Sequence, residues 1–118
     1  MGMDRKHFLR AVSETVIMVL LQKEEMHGYQ MYCRLKRPDI HLLKMEAGTL
    51  YPILARVEKR GWIAGRWVKP KRGGRRERHV YGITPKGAAE FRRMLGLWGQ
   101  IKFSLDKLIQ ECVSGKSY

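Results

Sequence analysis

The chain has 118 residues, 24 Lys plus Arg against 11 Asp plus Glu, and a formal net charge of +13. That length favours one domain, and a hydrophobic fraction of 44% is enough for a packed core, which sets the chain apart from a disordered basic tail. The longest apolar run, Val16 to Leu21, has six residues, against the roughly 18 needed for a membrane span; residues 1–7 show no secretory cleavage pattern, and two cysteines without a close partner, Cys33 and Cys112, exclude a disulfide framework and a zinc ribbon. The expectation is a cytoplasmic, nucleoid-associated protein that needs no metal or cofactor, keeps off membranes and meets a polyanion.

Residues 8–22 carry Phe8, Leu9, Val12, Val16, Val19 and Leu20, mostly at steps of three and four, which predicts an amphipathic helix. A second helix is predicted from Gly28 to Lys36 and ends before Pro38; residues 39–47 are expected to be a connection. On the third helix Leu50, Ile53, Leu54 and Val57 fall at i, i+3, i+4, i+7 and form one buried stripe. Thr49 is the expected N-cap, Pro52 then falls in the first turn, and Gly61 ends the helix. The opposite face offers Tyr51, Ala55, Arg56 and Lys59.

Trp62–Val68 and Val80–Thr84 read as two strands of a hairpin. Residues 66–79, which span its turn, hold seven Lys or Arg against one Glu, a net +6 out of the total +13. Pro70, Gly73 and Gly74 are turn formers, so the segment is a basic hairpin tip, the alternative being a loop that serves solubility alone. Thr84 and Pro85 open a long helix whose apolar positions Phe91, Met94, Trp98, Ile101, Leu105, Leu108 and Cys112 are spaced 3, 4, 3, 4, 3, 4. That is a heptad seam, suited to packing on a second copy of itself; the alternative is a helix folded back on its own domain.

The predicted fold is mainly α with a small β-hairpin: a winged helix-turn-helix over residues 1–84, then a C-terminal dimerisation helix and tail over 85–118. In that architecture the third helix enters a major groove and the hairpin, the wing, meets the backbone beside it. The candidate DNA contacts are Thr49, Tyr51, Pro52, Arg56 and Lys59 on the third helix. In the wing they are Lys71, Arg72, Gly73, Gly74, Arg75 and Arg76. Wing cations neutralise phosphates or enter a narrow minor groove, and Arg56 is the candidate for a bidentate guanine contact. Tyr51 has a packing alternative, against Pro52 or the wing. His27 has no carboxylate pair, Ser/His/Asp set or Cys/His cluster with it; it reads as a helix-start hydrogen bonder, and an enzyme is not expected.

The order of short motifs resembles the PadR family of bacterial transcriptional regulators, in its short subfamily with a single C-terminal helix. The resemblance rests on His27-Gly28-Tyr29, on Gly48-Thr49-Leu50-Tyr51-Pro52-Ile53-Leu54 followed by Arg56-Val57-Glu58-Lys59-Arg60-Gly61-Trp62-Ile63, and on Gly73-Gly74-Arg75-Arg76 before Tyr81-Gly82-Ile83-Thr84-Pro85-Lys86-Gly87. It covers roughly residues 8–112. It implies a homodimeric winged-helix repressor of a palindromic double-stranded DNA operator. It also implies a phenolic or flat aromatic effector, bound in some members between paired tryptophans of the dimerisation helix, where Trp98 stands in this chain. Candidate effector-binding residues are Trp98, Met94, Phe8 and Val12, with Ile17 also able to close the pocket from a partner chain. Trp98 as a plain seam residue is the alternative. The chain departs from the pattern in a wing about two residues longer, and in Lys102 one turn beyond Trp98, where a pocket for a cationic drug would carry an acid. Two other functions use the same charge: a basic nucleic-acid-binding protein without sequence preference, and a winged-helix protein–protein adaptor.

Overall fold

The computed structural model describes the backbone of residues 5–70 and 77–115, and the side chains of those residues from Val12 onward. The elements are α1 (Arg5–Leu20), β1 (Met26–His27), α2 (Gly28–Arg34), a 3-10 segment (Pro38–Leu43), α3 (Ala47–Lys59), β2 (Ile63–Val68), β3 (Arg78–Ile83) and α4 (Pro85–Val113).

The core takes the stripe that the sequence marks on α3, and on α1 it takes Val16 together with Ile17 and Met18, which the marked periodicity leaves out. Ile17 and Met18 of α1, Met31 of α2, Leu50, Leu54 and Val57 of α3 and Ile63 of β2 are all buried. Val19, placed by periodicity on the inner face of α1, is exposed, whereas Ile17 is fully buried in the chain's own core. Ile17 therefore cannot close a pocket on a partner chain.

Three expectations are corrected. First, the sheet has three strands, ordered β1-β3-β2 and antiparallel throughout, rather than a two-stranded hairpin. The extra strand is two residues long, with Met26 opposite Tyr81 and His27 opposite Val80, too short to show an alternation. Second, Pro38–Leu43 is helical in the 3-10 sense where a plain connection was expected, with a kink at Ile40. Third, α3 starts before Thr49. The Glu46 carbonyl already accepts from the Thr49 and Leu50 N–H groups, both at 2.9 Å, so Glu46 is the cap residue and Thr49 lies inside the first turn. Met45 just before the cap and Leu50 four residues into the helix are both buried. These are the positions of a hydrophobic staple, which sets the helix start in place of a side-chain cap. Pro52 then stands beyond the first turn. The carbonyl its missing N–H would have met belongs to Gly48, on the exposed side of the helix, where water can serve it.

The end of α3 follows expectation. Gly61 takes φ +79°, which suits glycine. The Gly61 N–H donates to the Glu58 carbonyl and the Trp62 N–H to the Val57 carbonyl, at 2.9 and 3.3 Å, which is a Schellman closure. Thr84 caps α4: its hydroxyl accepts from the Gly87 N–H at 3.0 Å and donates to the Gly61 carbonyl at 2.6 Å. Gly87 is pressed on the chain entering β2; a β-carbon there would stand 1.9 Å from the Trp62 carbonyl oxygen.

α4 has 29 residues and projects from the domain. The molecule measures 66 × 29 × 23 Å, with a radius of gyration of 17.6 Å, above the roughly 13 Å of a compact 100-residue domain.

Candidate nucleic-acid interface

Residues Gly48, Pro52, Ala55 and Lys59 form one exposed stripe on α3, opposite the buried Leu50, Ile53, Leu54 and Val57. It holds small side chains and a single cation, so another molecule can approach the helix backbone closely. The flanks are occupied. On the α1 side, Arg56 Nε donates to Glu14 Oε1 at 2.9 Å, and Arg60 Nη1 donates to the other oxygen of the same carboxylate. Arg56, expected to point at bases, is thus held by α1. Thr49, half-buried, lies on the same side, two turns before Arg56.

On the opposite flank Tyr51 is 48% exposed and lies across the start of α2; a β-carbon on Gly28 would come within 2.6–2.8 Å of its ring and hydroxyl. Tyr51 therefore packs against Gly28, with Tyr81 of the wing nearby. Beside it runs a ladder of rings that the motif reading missed. Trp67 stacks on His79 with centroids 4.7 Å apart and 16° between planes, and His79 meets Tyr81 at 4.5 Å. The cross-strand register places Trp67 opposite His79 and Gly65 opposite Tyr81, so all four share one face of the wing. Gly65 makes room for the ladder, since a β-carbon there would stand 2.1 Å from His79 Nε2. Glu58 braces it from α3: one carboxylate oxygen accepts from the Gly65 N–H at 3.0 Å and lies 3.9 Å from His79 Nε2. Burial, with Glu58 and Tyr51 nearby, pushes the Tyr81 phenol above its ordinary range. The phenol stays protonated and is hydrogen-bonded with His79 Nδ1 at 3.3 Å. A period-two pattern of Gly65 and Trp67 against His79 and Tyr81 is visible in the sequence, but only the register makes it a ladder.

At the mouth of this face lie His27 and Arg78. His27 caps α2 as expected: its Nδ1 accepts from the Gln30 N–H at 3.3 Å, while Gln30 Oε1 accepts from the His27 N–H at 3.0 Å. Arg78 Nη1 lies 2.7 Å from His27 Nε2. Burial first, and the Arg78 charge second, hold the His27 imidazole below the usual histidine range. On the outer side of the sheet Arg66 is bound to Glu25, with Nη2 to Oε1 at 2.8 Å; that guanidinium, through its hydrogen bond, lowers the Glu25 carboxyl. Lys71, Arg72, Gly73, Gly74, Arg75 and Arg76 lie outside the described residues.

The predicted seam on α4 divides in two. Met94 is buried and Phe91 and Trp98 are half-buried against the chain's own domain. Trp98 Nε1 donates to the Thr15 hydroxyl of α1 at 2.9 Å, and that hydroxyl donates to Met94 Sδ at 3.7 Å. For these three residues the fold-back alternative holds. From Ile101 onward the seam is bare: Ile101 is 46% exposed, Leu105 53% and Leu108 63%, and Cys112 is exposed as well. Val12 and Trp98 line a cleft of about 600 Å³ between α1, the 3-10 segment and α4, together with Val16, Leu35, Ile40 and Leu95. Phe8 lies on α1, and its side chain is outside the described set. Among the described residues no helix is long and apolar enough to cross a membrane, and no group of three or more His, Cys, Asp or Glu is placed to hold a metal ion.

The fold recurs in solved structures. A PadR-like transcriptional regulator from Bacillus cereus is 27% identical, with a TM-score of 0.75 over 87% of this chain and 96% of that one. A transcriptional regulator from Clostridium thermocellum is 26% identical, with a TM-score of 0.74 over 85% and 95%. Bacillus subtilis PadR, solved in complex with operator DNA, is 26% identical, with a TM-score of 0.65 over 71% of this chain and 46% of that one. The sequence pattern of the Transcriptional regulator PadR-like family matches residues 16–93. With that pattern spanning most of the chain and the fold shared, the chain belongs to the PadR-like family of transcriptional regulators.

Proposed function

We propose that the chain is a homodimeric repressor that binds a palindromic operator in double-stranded DNA, with α3 in the major groove and residues 71–76 on the flanking backbone. The observation that carries this reading is the exposed α3 stripe of Gly48, Pro52, Ala55 and Lys59, in a chain whose residues 66–79 carry a net +6. The solved complex of Bacillus subtilis PadR with operator DNA supports it. Pro52, Ala55 and Lys59 face bases, Thr49 and Tyr51 reach phosphates from the flanks, and Arg56 reaches the duplex only by leaving Glu14. The bare half of α4, Ile101 through Cys112, joins two copies so that two α3 helices meet successive major grooves about 34 Å apart. The protein works in the cytoplasm, on the nucleoid.

Gel shifts with a palindrome enriched from a random duplex library, and with its scrambled counterpart, test the reading. At least a hundredfold preference for the palindrome, on the order of the specificity of such regulators, is the expected result. Equal affinity for both would point to a non-specific nucleic-acid binder, and no DNA binding to a protein–protein adaptor.

The second part of the proposal is a flat aromatic effector at the dimer interface, stacked on Trp98 and flanked by Met94, Val12 and Phe8. The 600 Å³ cleft beside Trp98 supports it. Such a ligand releases DNA only by as much as it favours one arrangement of the two reading heads over another. Phenolic and planar aromatic compounds should quench the tryptophan fluorescence of the wild-type chain and not that of Trp98→Phe. A broad panel that leaves both spectra unchanged would leave Trp98 as a packing residue only.

A further inference from the structure

Between the wing, the start of α2 and α3 lies a cleft of about 370 Å³, lined by His27, Gly28, Tyr29, Tyr51, Trp67, Arg78, His79 and Tyr81. Among the described residues no carboxylate lines it. Two tyrosines open onto it, Tyr29 at 59% and Tyr51 at 48% exposure, and Trp67 at 65% forms its outer wall.

The contact at its mouth is chemically incomplete. His27 Nδ1 is already engaged as an acceptor from the Gln30 N–H. A neutral imidazole has one acceptor nitrogen and one N–H, so in the tautomer whose Nδ1 caps α2 the ring proton is on Nε2. Arg78 Nη1 stands 2.7 Å from that Nε2, and a guanidinium carries donors only. In that tautomer His27 and Arg78 are both donors; in the other, Nε2 accepts from Arg78. Among the described residues Arg78 has no carboxylate partner, in contrast to Arg34, Arg37, Arg56, Arg60, Arg66 and Arg93, all of which are paired. Converging donors without an acceptor are a site for an oxyanion.

We infer that this cleft is a seat for one phosphodiester of the DNA backbone, with Arg78 and the His27 Nε2–H donating to its oxygens and the Tyr29 and Tyr51 hydroxyls flanking it. The inference rests on the DNA-binding reading and deepens it, because it adds His27, Tyr29 and Arg78, none of them among residues 71–76 or on the α3 stripe. The cleft lies between the wing and the reading helix, where a strand leaving the major groove has to pass. Trp67, held flat by His79, offers an apolar wall to the sugar next to that phosphate.

Two variants and one chemical substitution test the seat. Arg78→Gln removes the charge without touching the core. His27→Asn keeps an N-cap acceptor for α2 and removes the Nε2–H; thermal melts of both check that folding is intact. On a duplex that the wild-type chain binds, Arg78→Gln should weaken binding by about tenfold and lower the slope of log K against log salt by about one. His27→Asn should weaken binding by roughly threefold to tenfold, as for loss of one hydrogen bond to a charged group, with the slope unchanged. Methylphosphonate placed at successive positions of the duplex should reveal one neutralised phosphate at which wild type loses affinity and Arg78→Gln loses nothing more. If the wild type binds DNA while both variants bind within twofold of it, with an unchanged slope and the same methylphosphonate pattern, the seat is refuted and the DNA-binding reading stands. A wild-type chain that binds no duplex refutes both.

Discussion

His27 is one residue with two duties that pull on the same ring. As the cap of α2 it has to keep Nδ1 free of a proton, and the nearby Arg78 charge makes a second proton still less welcome. Its folded-state pKa lies below the value of 6.5 expected in the unfolded chain. Below that value the unfolded chain binds the proton more readily than the folded one does. Stability is therefore complete above about 6.5 and falls as the pH drops from there towards the lower folded pKa. Melting curves between pH 7.5 and 5 should show a loss on acidification that is smaller in His27→Asn; identical pH profiles would remove His27 as the source. This duty was partly legible in the sequence, where His27 precedes a helical pattern with Gln30 three residues on. The partner Arg78, 51 positions away, was not, because it arrives through the pairing of β1 with β3. Thr49 shows the opposite limit. A Thr followed by a helical stripe is a sound local cap signal, but the staple of Met45 and Leu50 and the Glu46 carbonyl begin the helix earlier.

Among the elements, α4 carries the sharpest division. One heptad pattern runs without interruption from Phe91 to Cys112, yet the first half is used inside the chain and the second half is bare. Periodicity reports that a face is apolar and cannot report which body covers it; here α1 meets the seam at Met94 and Trp98 through Thr15. Leu105→Glu and Leu108→Glu together put two acids on the bare half, more than 10 Å from the folded domain if the helix keeps its rise of about 1.5 Å per residue. The expected result is a folded monomer by sedimentation at tens of micromolar, with operator affinity reduced by a hundredfold or more through loss of the second half-site. A double variant that still sediments as a dimer would show that the bare half is not the interface. The reading of α3 was right in its faces and wrong in its start. The four-residue buried stripe is long-range in origin but local in spelling, which makes it legible, whereas β1 is two residues long and leaves no pattern to read.

At the scale of the whole molecule, charge and shape divide the labour. The formal +13 is unevenly spent. Glu14 engages Arg56 of α3 and Arg60 just beyond it, Glu25 engages Arg66, and Asp106 engages Lys102, while residues 71–76 hold four Lys or Arg and no acid. Reversing Arg72, Arg75 and Arg76 to Glu should abolish most binding at moderate salt and flatten what dependence on salt is left, since those contacts release counterions. Unchanged affinity in that triple variant would move the interface away from the wing. Composition alone pointed to a polyanion; the layout of α3, wing and α4 is what turns that into a reading head on a long arm.

The junction between that head and its arm has a mechanical consequence. Thr84 is bonded to both Gly61 and Gly87, and Gly87 is seated directly on the Trp62 carbonyl, so α4 leaves the domain without a loop to bend. A dimer made through α4 would then behave as a caliper. A small change in the angle at which the two arms cross would appear, undamped, as a change in the gap between the jaws. The same rigidity works in reverse: a duplex whose half-sites fix the gap would select one crossing angle, and with it the shape of any pocket between the arms. DNA spacing and a ligand at the crossing would in that case compete through geometry alone, with equal coupling in both directions.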